Sequence, residues 1–120
     1  AHNPGGFAAL LLSLNNRYGW KRFRVILGMG KEKDHEACLC ELIPYAEEFF
    51  LIQAEGVKEG MDAMSLQKIL LSLGYTNTYH YGSVEETVTA ALMRSQKDRL
   101  PILVIGTFYI MASVKSAVGI

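Results

Sequence analysis

Apolar side chains recur along this chain with two alternating periods. Phe7, Leu10, Leu11, Leu14 and Tyr18 stand at i, i+3, i+4, i+7 and i+11. That spacing makes one helical face and predicts a helix over residues 7–18, closed by Gly19. Residues 23–29, Phe-Arg-Val-Ile-Leu-Gly-Met, are short, mostly apolar and β-branched at two positions, which predicts a buried strand. Asp34 can cap a following helix, with Leu39, Leu42, Ile43 and Ala46 on one face. Residues 49–52 read as a second strand. Leu66, Ile69, Leu70 and Leu73 return to helical spacing, and Gly74 follows them. Residues 78–81 predict a weak aromatic strand. Ser83-Val84-Glu85-Glu86 is a capping box, and Val84, Val88, Ala91 and Leu92 continue it on one face. Residues 101–105, Pro-Ile-Leu-Val-Ile, form the clearest buried strand. Gly106 then turns the chain into a last helix with Met111, Val114 and Val118 inward.

Strands that read as apolar on both faces, separated by helices, predict a mainly parallel sheet flanked by helices. The fold class is therefore α/β and Rossmann-like. There are no internal repeats, and residues 57–62, with two glycines and several charges, are expected to form a mobile loop. The 120 residues suffice for one domain with its own core, half of them being apolar. Twelve basic side chains balance twelve acidic ones, so no charge excess points to nucleic acid or an anionic membrane. The apolar runs are far shorter than a membrane span, and no basic-then-apolar leader is visible. Cys38 and Cys40 sit two apart in a helical pattern. They cannot bridge there and read as small apolar fillers in a reducing cytoplasm.

In parallel α/β sheets, ligands gather at the carboxyl ends of the strands. Three segments qualify. Ala1-His2-Asn3-Pro4 places an imidazole and an amide before a helix start, where they can hold a ribose hydroxyl or a carboxylate. Gly28-Met29-Gly30-Lys31-Glu32-Lys33-Asp34 places two cations at a strand-to-helix turn, suited to a carboxylate or phosphate. By position alone, the plainer reading of Lys31 and Lys33 is solvated loop charge. Gly106-Thr107-Phe108-Tyr109 offers a hydroxyl and backbone N–H groups, and Thr107 reads equally well as a plain N-cap. The dinucleotide fingerprint is incomplete because residue 33 is Lys where it needs Gly. The P-loop is incomplete because Glu32 follows Gly30-Lys31. No spacing of His, Cys or Asp suggests a zinc site, His35 and His80 read as structural or exposed, and no nucleophile stands beside a base.

Taken together, the three segments resemble a known family. Ala-His-Asn-Pro is similar to the end of the D-G-A-H-N-P motif of folylpolyglutamate and dihydrofolate synthases. Residues 28–34 resemble that family's G-x-x-x-D/E-K-D stretch, and residues 106–109 its G-S-F/L-Y signature. Order and spacing fit over nearly the whole chain. Mur ligases share the domain and usually carry another residue where Asn3 stands.

The resemblance implies that residues 1–120 are a Mur-ligase-like C-terminal domain whose first strand is truncated. A P-loop ATPase domain holding ATP and magnesium would lie upstream, together with the Asp that precedes Gly-Ala-His in the family. It implies an ADP-forming ligase that joins L-glutamate to dihydropteroate or folate through an acyl phosphate. His2 would meet the nucleotide or the glutamate, and Asn3 would support the nucleotide-side turn. Lys31 lines up with a lysine that binds the amino-acid carboxylate, with Lys33 beside it. Thr107 stands where a glutamate-facing serine is expected, and Tyr109 would wall the pocket. The isolated chain is then expected to catalyse nothing and to self-associate through exposed sheet edge or apolar helix face. A peptidoglycan amino-acid ligase domain and a stand-alone ligand-binding module are the alternative readings.

Overall fold

The protein is described by a computed structural model, in which residues 8–12, 22–28, 35–53, 62–106 and 114 are placed. Strand β1 spans Ala8–Leu12, β2 Phe23–Leu27, β3 Ala46–Leu51, β4 Thr78–Tyr79 and β5 Ile102–Gly106. Helix α1 spans His35–Leu42, α2 Ala63–Ser72 and α3 Val84–Asp98. One five-stranded sheet has the order β1-β5-β2-β3-β4. The four strands from β5 to β4 are parallel, and β1 closes one edge antiparallel to β5. The expected α/β sheet with flanking helices is therefore present.

Alternation along each strand sends side chains to two cores. Val25, Leu27, Phe49, Leu51 and Ile105 face α1 and α2, meeting Leu39, Leu66 and Leu70. Ile26, Phe50, Ile52, Ile102 and Val104 face α3, meeting Val84, Val88 and Ala91, with Val114 in the same cluster. This is the covering that right-handed crossovers require. The steps from β2 to β3 and from β3 to β4 run one way along the sheet and put α1 and α2 on one face. The step from β4 to β5 runs back past β2 and puts α3 on the other.

Local chemistry sets the helix ends. The Asp62 carboxylate accepts the Ser65 N–H at 2.7 Å and opens α2. Gly74 follows α2 at φ +85°, a conformation that costs glycine little. Ser83 Oγ accepts the Glu86 N–H at 3.1 Å, as the capping box predicts.

Four expectations need correction. The helix read over residues 7–18 is, at Ala8–Leu12, a strand. The run Ala-Ala-Leu-Leu-Leu has no polar position to distinguish a half-buried helix from a strand, and pairing with β5 decides it. Ala46, read as part of a helical face, is the first residue of β3, because Pro44 ends the helical run in a short 3₁₀ turn at Ile43–Tyr45. The strand expected over 78–81 is only two residues long. Cys40, read as a core filler, is an exposed free thiol on α1. Asp34, the Cys38 side chain, residues 57–61 of the expected loop, Met111 and Val118 lie outside the described residues. Among the described residues, no helix is long and apolar enough to cross a membrane.

Candidate functional site

The strand order contains one switch point. From β2 the chain moves to one side through β3 and β4, and then returns to the other side as β5. The strand order therefore reverses between β2 and β5, and in open α/β sheets ligands bind outside the carboxyl ends of the strands at such a point. Leu27 is paired with Ile105, and the Gly28 N–H donates to the Ile105 carbonyl at 3.1 Å. Gly28 and Gly106 thus end neighbouring strands at one height. Gly28 is buried and follows directly on β2.

The edge strand adds the third segment. β1 runs against β5, with Ala8 opposite Gly106. The start of β1 therefore lies at the carboxyl end of β5. Residues 1–7 enter the sheet at Ala8, residues 29–34 leave it after Gly28, and residues 107–110 leave it after Gly106. All three motif-bearing segments are attached to one edge, across three adjacent strands. His2, Asn3, Lys31, Lys33, Thr107 and Tyr109 themselves lie outside the described residues.

The opposite edge carries a polar network that the sequence reading missed. A register shift between Phe23 and Arg24 leaves Glu47 as the extra residue of a β-bulge and sets Arg24 opposite Glu48. Both side chains are buried on the α3 face. Arg24 Nε donates to Glu48 Oε2 at 2.6 Å, Nη1 donates to Ser95 Oγ at 2.7 Å, and Nη2 donates to Asp98 Oδ2 at 2.6 Å. Arg94 Nη1 donates to the other Glu48 oxygen at 3.0 Å, while its guanidinium lies 4.5 Å from the centroid of the Tyr79 ring. The bulge backbone is also satisfied. Arg22 and the Tyr75 hydroxyl both donate to the Ala46 carbonyl at 2.8 Å, and Asn77 donates to that of Glu47. Burial pushes the Tyr75 phenol pKa up. The signal for this network was an arginine inside an otherwise apolar strand and a glutamate at the start of another.

The network is structural in character, because each buried charge is matched by a partner. It also makes stability depend on pH. The Arg24 hydrogen bond holds the Asp98 carboxyl below its ordinary value of 3.8. A depressed carboxyl stabilises the fold above its unfolded value and loses that contribution as pH falls through the folded value. Asp98 is half exposed, so solvent screens the effect. Resistance to urea unfolding is expected to weaken as pH drops below about 4, and Asp98→Asn is expected to flatten that part of the profile. An unchanged slope in the variant would exclude Asp98 as its source.

Among the described residues, no group of three His, Cys, Asp or Glu side chains could hold a metal ion.

The model of the Mur ligase glutamate ligase domain matches residues 1–108. No curated protein matches the chain. Among solved structures, E. coli FolC in complex with DHPP and ADP is similar, with a TM-score of 0.58 and 24% sequence identity. The match covers 82% of this chain and 23% of that one. This chain thus spans less than a quarter of the FolC chain, and at this identity the likeness concerns the fold.

Proposed function

The chain belongs to the Mur ligase family, as its glutamate ligase domain, and from that premise we propose that it closes the amino-acid side of a ligase that joins L-glutamate to dihydropteroate or folate. The observation that carries the reading is the attachment of three motif-bearing segments to one edge at the β2–β5 switch point. The solved FolC holds DHPP and ADP, in keeping with a pterin acceptor and a nucleotide.

In this reading ATP and magnesium are held mainly by an upstream ATPase domain. The γ-phosphoryl group passes from ATP to a carboxylate oxygen of the acceptor, and ADP leaves. The amine of L-glutamate attacks the acyl carbon. The new C–N bond forms, the C–O bond to phosphate breaks, inorganic phosphate departs and the amine gives up a proton. The contribution of this domain is orientation, since a bound amine close to a bound acyl phosphate reacts as if at very high local concentration. Lys31 takes a glutamate carboxylate, with Lys33 beside it. The Thr107 hydroxyl donates to the same anion, and Tyr109 closes the wall. His2 and Asn3 meet the nucleotide side, and His2 can also reach the glutamate. The methyl of Thr107 narrows this site relative to the serine it replaces in the family pattern.

The test is ADP release by the full-length protein that carries this chain, supplied with ATP, L-glutamate and one acceptor at a time. Turnover is expected with dihydropteroate or a folate and not with a peptidoglycan precursor, and residues 1–120 alone are expected to ligate nothing. Turnover restricted to the peptidoglycan precursor would assign the domain to the other branch of the family. Ligation by residues 1–120 alone would overturn the division of labour.

A further inference from the structure

The side-chain pattern of β5 does not by itself determine its height against β2. A one-residue slip would exchange the two faces of Ile102–Gly106 and is excluded by alternation. A two-residue slip leaves each face turned to its own core, because Ile102 and Val104 share one core and Leu103 and Ile105 pack against the other. Such a slip would carry Gly106 about 6.6 Å along the strand. It would separate Gly28 from Ile105 and offset the two loops that leave there.

We propose that Arg24 and Asp98 form a clamp that sets this height and so act as positioning residues for the ligand edge. The clamp lies at the far end of the same two strands. The Arg24 backbone N–H donates to the Pro101 carbonyl at 2.9 Å, the first rung of the β2–β5 ladder, while Gly28 N–H to Ile105 is the last. Asp98 takes Arg24 through both oxygens, at 2.6 and 3.2 Å. Its Oδ1 also accepts the Leu100 N–H at 3.0 Å. Between them stands Arg99 at φ +64°, in the left-handed region, and its N–H donates to the Ser95 carbonyl at 2.8 Å. The turn from α3 into β5 is therefore tied to the beginning of β2 by side chain and backbone together. Ser95 Oγ accepts from the same guanidinium. Glu48 holds Arg24 from the β3 side, so the clamp can be opened toward β5 while the β2–β3 contact stays closed.

Asp98→Ala opens only the β5 side. Amide exchange in the full-length protein is read at two positions: Gly28 N–H, bonded to Ile105 across β2–β5, and Ile52 N–H, bonded to Leu27 across β2–β3. The loss of a charge-assisted hydrogen bond is expected to speed exchange at Gly28 by about tenfold, with Ile52 unchanged. Asp98→Asn, which keeps one acceptor oxygen, should fall between. The consequence for catalysis rests on the ligase reading: KM for L-glutamate rises while kcat stays within a few-fold. Unchanged exchange at Gly28, or equal loss at both amides, overturns the clamp whatever the enzyme does. Faster exchange at Gly28 with an unmoved glutamate KM overturns the positioning role. Faster exchange at Gly28 in a protein whose wild type shows no glutamate-dependent turnover supports the clamp and overturns the ligase reading instead.

Discussion

Arg24→Met is expected to destabilise the domain by about 3–5 kcal/mol, the range for removing one partner of a buried ion pair. The Arg24 side chain is 4% exposed and the Glu48 side chain 7%. With a thioether in place of the guanidinium, Glu48 keeps, among the described residues, the charge of Arg94, whose side chain is 42% exposed and shared with the Tyr79 ring. A carboxylate held that deep without its main partner costs far more than an exposed one, since neither water nor protein dipoles replace what was lost. Domains of this size are stable by only about 5–15 kcal/mol, so the loss is a large fraction of the total. Arg24→Met combined with Glu48→Leu should recover most of the loss, because replacing a buried pair by apolar residues is often close to neutral. Asp98 and Arg94 then face water. Urea midpoints of the single and double variants measure both effects. A single-variant loss below about 1 kcal/mol, in the range of surface pairs, would show that the pair is not buried in solution.

Lys31→Ala carries the largest functional effect. If Lys31 holds a glutamate carboxylate, its removal deletes a charge-assisted hydrogen bond worth about 1.5–3 kcal/mol, or roughly 10- to 150-fold in glutamate affinity. The effect falls on KM, because the carboxylate does not change charge during amide formation and is bound equally in ground and transition states. Thr107→Val should act in the same direction with a smaller size, since it removes a neutral donor, and Thr107→Ser should retain function.

Much of this fold is written in the apolar periods. The runs Phe-Arg-Val-Ile-Leu and Ile-Leu-Val-Ile-Gly are strands because both faces are covered, and the Ser83 capping box starts α3 where its residues say it should. Ala8–Leu12 was not legible, since five small and apolar residues satisfy either period until a partner is known. That partner is the open edge of β5, almost a full chain length away in sequence. The Arg24–Glu48 pair has the same character. Its members are brought together by a bulge that shifts register between Phe23 and Arg24, and local spacing does not reveal such a shift. The charge inside an apolar strand was the visible trace.

The candidate site stood in the sequence as three separate segments. Each of the three segments could be read as a strand end or a helix start. Their common edge followed only from strand order and from the antiparallel direction of β1, which returns Ala8 to the level of Gly106. The same geometry explains why weak motifs gain force together. A histidine, two lysines and a threonine are unremarkable apart, yet they belong to segments joined to strand ends at one edge.

The central claim is that this edge receives the carboxylate of the incoming amino acid. It is tested most directly by initial rates of ADP release at varied L-glutamate, measured for the full-length protein and its Lys31→Ala variant with a folate acceptor. A glutamate KM raised roughly 10- to 150-fold, with kcat and the KM for ATP within a few-fold of wild type, is the expected result. A glutamate KM equal to that of wild type would contradict it.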